Sequence, residues 1–82
     1  MKLRYYVYMI KSEKTGEVYT GFTEKLDDRV KQHNSGTTEY TKNKGPWELV
    51  WFAAFNERHK ALDFEKYMKA GSGYAFARKR FI

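Results

Sequence analysis

Two short runs rich in aromatic and β-branched residues, LRYYVYMI at 3–10 and EVYTGF at 17–22, flank a hydrophilic connection that ends in Gly16. Residues of this kind favour the pleated surface of a strand, and a short polar link between two such runs reads as a β-hairpin. No other stretch constrains the fold as strongly, because a hairpin decides which side chains share a face. With the turn centred on Glu13 and Lys14, Tyr8 lies directly opposite Tyr19, and opposed residues on antiparallel strands place their Cβ atoms about 5 Å apart on one side. Two phenols then converge on one patch. They either stabilise the sheet as a cross-strand pair or supply hydroxyls to a site, and a one-residue slip would part them.

Downstream, Thr23-Glu24-Lys25-Leu26 reads as an N-cap and an acidic first turn of a helix that runs to His33 or Asn34 before Ser35-Gly36 stops it. Leu26, Val30 and His33 recur along one face, and Arg29 and His33 form an i, i+4 row at its border. Arg29 could pair with Asp27 or Asp28 in solvent, and His33 could pack or cap the helix end. Residues 35–46 (SGTTEYTKNKGP) are nearly devoid of apolar side chains and read as a surface loop carrying Lys42 and Lys44. Trp47 to Phe55 (WELVWFAAF) is too apolar for a half-exposed strand and reads as a central strand covered on both faces.

Asn56-Glu57 marks the next cap, and an amphipathic helix follows until Gly71, with Ala61, Phe64, Glu65 and Met68 on one face. A carboxylate in an apolar stripe must be paired, protonated or bound to a cation. Glu65 either meets that demand through Lys69 at the stripe's edge or holds a metal. Gly71-Ser72-Gly73 reads as a flexible break before a short terminal helix from Tyr74 to Phe81 that carries Arg78, Lys79 and Arg80. The expected architecture is α+β, a small three-stranded antiparallel sheet flanked by helices in the order β-β-α-β-α-α, as a single domain over residues 1–82.

Charge narrows the partner. Sixteen Lys and Arg against 10 acidic residues give +6, a field that attracts polyanions, of which nucleic acid is the commonest. Without cysteine there is neither disulfide nor thiolate metal site, so a metal would need oxygen or imidazole ligands. No apolar run approaches the roughly 20 residues that span a bilayer, and the N-terminus lacks a signal-peptide core. The expectation is a soluble, cytoplasmic protein with no membrane partner.

A Tyr6-Val7-Tyr8 triplet, a Tyr19-Thr20-Gly21 triplet, an Arg eight residues past that glycine, a His four further on and a Glu in a later helix together resemble the GIY-YIG nuclease superfamily. The likeness covers nearly the whole chain. It is greatest to the small stand-alone bacterial branch, whose terminal K-x-G-x-G-x-x-F stretch is matched by Lys69-Ala70-Gly71-Ser72-Gly73-Tyr74-Ala75-Phe76. Tyr6 stands where the family has glycine and Thr20 where it has an aliphatic, and the polar residue that follows the metal-binding Glu in larger relatives has no counterpart.

The resemblance implies a metal-dependent endonuclease acting on DNA, in repair or recombination intermediates. The alternative is a catalytically weak or inactive nucleic-acid-binding module. On the first reading Glu65 holds a single divalent ion, Mg²⁺ or Mn²⁺, and Arg29 grips phosphate oxygens through its planar fork. Tyr8 is favoured over Tyr19 as the base, the other tyrosine orients the water or phosphate, and His33 assists by taking the phenol's proton, since a free phenol with pKa about 10 is a poor base near neutrality. Lys42, Lys44, Arg78, Lys79 and Arg80 steer and hold the substrate backbone, and a partner protein could confer specificity. A binding domain for an acidic protein is a third possibility, with no affinity for DNA at moderate salt.

Overall fold

The computed structural model of the protein describes residues 3–80, apart from the side chains of Ser72, Tyr74, Phe76, Ala77 and Arg80. Its elements are β1 (Tyr5–Ser12), β2 (Val18–Thr23), α1 (Leu26–Ser35), β3 (Trp47–Phe55), α2 (Arg58–Lys69) and α3 (Gly71–Arg80). The sheet is antiparallel with order β2-β1-β3, and the α+β class matches the sequence expectation.

The central strand, however, is β1 and not β3. Val7, Tyr8, Met9 and Ile10 are all fully buried, so both faces of β1 are covered, whereas β3 lies at an edge with Phe52 49% exposed. The unbroken apolarity of WELVWFAAF has another cause. Ile10 faces Leu49 and Met9 faces Trp51, so Val50 is an extra residue, a β-bulge that interrupts the alternation of sides. Leu49 thereby joins Tyr8, Ile10 and Trp47 under Leu26 and Val30 of α1. Val50 and Trp51 both join Met9 on the opposite face, under Phe64 and Met68 of α2. One strand thus feeds two cores.

The hairpin register also differs from the expected one. Tyr8 lies opposite Gly21, and Tyr19 lies opposite Ile10. The turn sits one residue further along, because Ser12 N–H bonds the Glu17 carbonyl at 2.8 Å and Ser12 Oγ accepts the amides of Lys14 and Thr15 at 3.1 and 2.9 Å. Gly16 closes the link with φ of 78°, a conformation open to glycine at no steric cost. Moving the turn by one residue shifts the pairing by two, and an even shift preserves the face. Tyr8 and Tyr19 therefore still share a side, as diagonal neighbours with ring centroids 6.3 Å apart.

Helix α1 begins later than Thr23 suggests. Thr23 Oγ1 accepts the Lys25 amide at 3.0 Å, Lys25 takes the N-cap position, and Gly36 ends the helix in the left-handed region with φ of 82°. At the other end of the chain, Gly71-Ser72-Gly73 is no flexible break. Only Ala70, in an extended conformation, separates α2 from α3, and the glycines form the first turn of α3. A Cβ on buried Gly73 would overlap the Tyr67 carbonyl, so this glycine permits close contact between successive helices. Phe81 lies outside the described residues.

Candidate active site

Gly21 positions the first functional group. It faces Tyr8 across the β1–β2 ladder, and a Cβ there would run into the Tyr8 ring and hydroxyl. With hydrogen in its place, the phenol lies across the backbone of β2 and reaches α1. Its hydroxyl meets His33 Nε2 at 2.7 Å, and His33 Nδ1 meets Thr41 Oγ1 at 2.7 Å. Tyr8, His33 and Thr41 are each at most 1% exposed. Desolvation pushes the Tyr8 pKa up to about 12, against a hydrogen bond from Arg29 that works in the opposite direction. Burial, helped by the Arg29 charge, lowers His33 to about 4. At neutral pH the phenol is therefore protonated and the imidazole neutral.

The loop after α1 is solvated along most of its length, as its composition suggests, but it turns Thr41 inward. Asn34 brackets Trp47, accepting its amide at 2.6 Å and donating to its carbonyl at 3.1 Å, which fastens the end of α1 to the start of β3. Trp47 Nε1 donates to the Thr41 carbonyl at 3.0 Å and pins the middle of the loop. Thr41 is thus delivered beneath His33. Nothing in a run of small polar residues distinguishes Thr41 or Asn34, and sequence reasoning passed over both.

Tyr19 is the more accessible phenol. Its ring centroid lies 5.1 Å from that of His33 and 5.4 Å from that of Tyr40, which comes from the same loop. Lys69 Nζ stands 6.0 Å from the Tyr19 centroid and 3.1 Å from Glu65 Oε2. Glu65 is close enough to the phenols for its charge to raise the Tyr8 pKa. So the i, i+4 pairing with Lys69 is present, and the same pair borders the tyrosines. Arg29 donates from Nη1 to Gln32 Oε1 at 3.0 Å, while its Nε is buried without a partner. No ion pair joins it to Asp27 or Asp28 among the described residues. Other guanidinium N–H groups reach Tyr8 and Gln32, so among the described residues Nε is the one Arg29 donor buried without an acceptor.

Among the described residues no group of three or more His, Cys, Asp or Glu side chains could enclose a metal. Glu65, with a side chain 19% exposed, offers one hard oxygen donor. Such a site suits a cation that keeps most of its water and completes its shell with phosphate oxygens, the habit of Mg²⁺.

The outlying cations divide. Lys42, Arg78 and Lys79 are exposed, and Arg78 lies beside Lys11 near the hairpin turn. Lys44 is committed elsewhere: it pairs with Glu17 at 3.0 Å and stands 4.3 Å from the Tyr40 centroid. The side chain of Arg80 lies outside the described residues. No helix among the described residues is long and apolar enough to cross a membrane.

Comparison with known proteins places this geometry in context. The family model of the GIY-YIG catalytic domain matches residues 4–75. A UPF0213 protein of Clostridium perfringens is 42% identical over 65 residues, covering 78% of this chain and 69% of that protein. A UPF0213 protein of Staphylococcus saprophyticus is 34% identical over 70 residues, 84% of each chain. The solution NMR structure of a UPF0213 protein from Bacillus halodurans superimposes with a TM-score of 0.57 at 32% identity, over 92% of this chain and 82% of that one.

Proposed function

Because this chain belongs to the GIY-YIG family, a nuclease superfamily, we propose that it is a divalent-metal-dependent endonuclease that hydrolyses phosphodiester bonds in DNA, acting as a single domain. Structures of the kind formed in repair or recombination are the intended substrates. One observation carries the reading: two phenols, an imidazole and a guanidinium converge on the sheet face covered by α1, near a carboxylate from another helix.

Hydrolysis needs a deprotonated water, charge neutralisation on the phosphoryl oxygens and a tolerable leaving group. Glu65 would hold Mg²⁺ or Mn²⁺, which supplies positive charge at the phosphate. Arg29 turns its unpartnered Nε–H to a non-bridging oxygen. Drawing Arg29 to the phosphate uncovers Tyr8 for the attacking water, which Tyr19 orients. The water's proton passes to the Tyr8 oxygen as the phenol's own proton passes to His33 Nε2. Hydroxide bonds to phosphorus, the bond to the 3′ oxygen breaks, and that oxygen takes a proton from solvent. Burial raises the Tyr8 pKa, so the phenol stays protonated before substrate binds and needs His33 to take its proton as it receives the water's. Lys42, Arg78 and Lys79 bind the flanking backbone, and a partner protein supplies specificity.

A panel of labelled duplex, single-stranded, flap and branched DNA, with matching RNA, tests the proposal in Mg²⁺ and Mn²⁺. Cleavage should stop on chelation and in Glu65→Ala, with an unchanged circular dichroism spectrum. Cleavage that survives both would end the metal assignment. The Glu65–Lys69 ion pair favours the second reading, a binding module without turnover. That module would show salt-sensitive DNA binding and no cleavage in any divalent ion.

A further inference from the structure

Thr41 lies in a polar loop, yet it is completely buried. Threonine is mostly exposed in folded proteins, so its burial calls for a reason. The carbonyl is held by the Trp47 indole, which fixes the residue in place. That leaves the hydroxyl, 2.7 Å from His33 Nδ1 and 3.5 Å from the Thr38 carbonyl.

A neutral imidazole has one N–H, so one ring nitrogen donates and the other accepts. Both ends of the chain of hydrogen bonds fix which is which. At the Tyr8 end Arg29 can only donate, so the buried phenolic O–H has His33 Nε2 as its acceptor at 2.7 Å. At the other end the Thr38 carbonyl, 3.5 Å from the Thr41 oxygen, can only accept, which gives the Thr41 O–H an outlet and leaves its oxygen to receive the His33 Nδ1–H. Only with both ends in place is the imidazole proton held on Nδ1.

We propose that Thr41 is a positioning residue for phosphodiester cleavage, holding His33 in the Nδ1–H tautomer so that Nε2 remains open to the proton leaving Tyr8. The catalytic consequence rests on the nuclease reading; the tautomer does not. When Nε2 gains the proton, the ring becomes a cation whose Nδ1–H bond to Thr41 is charge-assisted and stronger. Without the hydroxyl, Nδ1–H would be a buried donor lacking an acceptor, and the proton would move to Nε2. The phenol would then have no acceptor for its own proton.

Nitrogen-15 NMR of the His33 ring in the full chain at pH 7 should show the Nδ1–H tautomer in the natural protein. Thr41→Val, which keeps shape and removes the hydroxyl, should shift it to Nε2–H, and Thr41→Ser should restore it. With Mg²⁺ and cleavable DNA, Thr41→Val should lower kcat roughly 10- to 100-fold, the scale of a lost outer partner, with KM unchanged and Ser rescuing the rate. A threonine needed only for packing would leave the tautomer unmoved. An Nε2–H signal in the natural protein, an unmoved tautomer in Thr41→Val, or a moved tautomer with undiminished kcat would each overturn the proposal. Should Thr41→Val not fold, the natural protein's spectrum and the serine variant decide. Absence of cleavage in every chain, the natural one included, would defeat the nuclease reading while the ring spectrum still judges Thr41.

Discussion

The two halves of the candidate site are built differently. In the inner half, Tyr8, His33 and Thr41 are sealed from solvent and linked by hydrogen bonds of 2.7 Å. In the outer half, Arg29 and Glu65 are partly buried and Lys69 is exposed, with one buried N–H unpaired and a carboxylate joined to a half-exposed ammonium. The inner half is a hydrogen-bonded chain complete within the protein. The outer half keeps its charges available, as a site must if a phosphate and a hydrated cation are to enter.

Substitutions should therefore separate activity from stability on one side and couple them on the other. The largest effect is expected in the outer half: Arg29→Ala should cut the cleavage rate by about 10²–10³-fold, as when a single oxyanion donor is lost. The stability cost should stay near that of one lost hydrogen bond, about 0.5–1.5 kcal/mol, small beside the effect on rate. A matching fall in stability would erase the distinction. Gly21→Ala tests the inner half, because the new methyl would displace the Tyr8 phenol. Chemical denaturation should show a loss of about 1–3 kcal/mol, the usual cost of overpacking, together with lost cleavage.

The pH dependence of stability sharpens the contrast further. His33 has a native pKa lowered to about 4 from an ordinary 6.5, with Arg29, Tyr8 and Tyr19 as the groups facing it. Between those values the unfolded chain binds a proton that the native chain refuses, so stability rises with pH across the interval. The contribution is complete above about pH 6.5 and is lost on acidification towards pH 4. Melting temperature should fall from pH 7 to pH 5, and His33→Gln should flatten that slope. The smallest effect belongs to Lys69→Ala. Breaking an exposed pair costs about 0.3–0.5 kcal/mol on a helix surface, and removing the competing ammonium should tighten Mn²⁺ binding to Glu65, read by electron paramagnetic resonance.

What could be read from the sequence was whatever local chemistry settles. Aromatic and β-branched runs gave both hairpin strands, and the shared face of Tyr8 and Tyr19 survived a wrong register because the error was even. Helix periodicity put Leu26, Val30 and His33 on one side, where the structure has them. Features made by tertiary contact were illegible. A bulge at Val50 mimics the pattern of a central strand, and the polar residues around Thr41 hide a buried hydroxyl whose role depends on an indole six positions on. The residues singled out by family likeness were Tyr8, Tyr19, Arg29, His33 and Glu65, but nothing local could say that the first and fourth touch.

The tight elbow at Gly73 has a consequence for any long polyanion this protein meets. The first turn of α3 is seated against the Tyr67 carbonyl, and Arg78 and Lys79 follow on the same helix. Their separation from Glu65 is set by the joint between two rods. On the proposed reading the molecule would carry a gauge, and a strand gripped at one end would be presented to the carboxylate at a set offset.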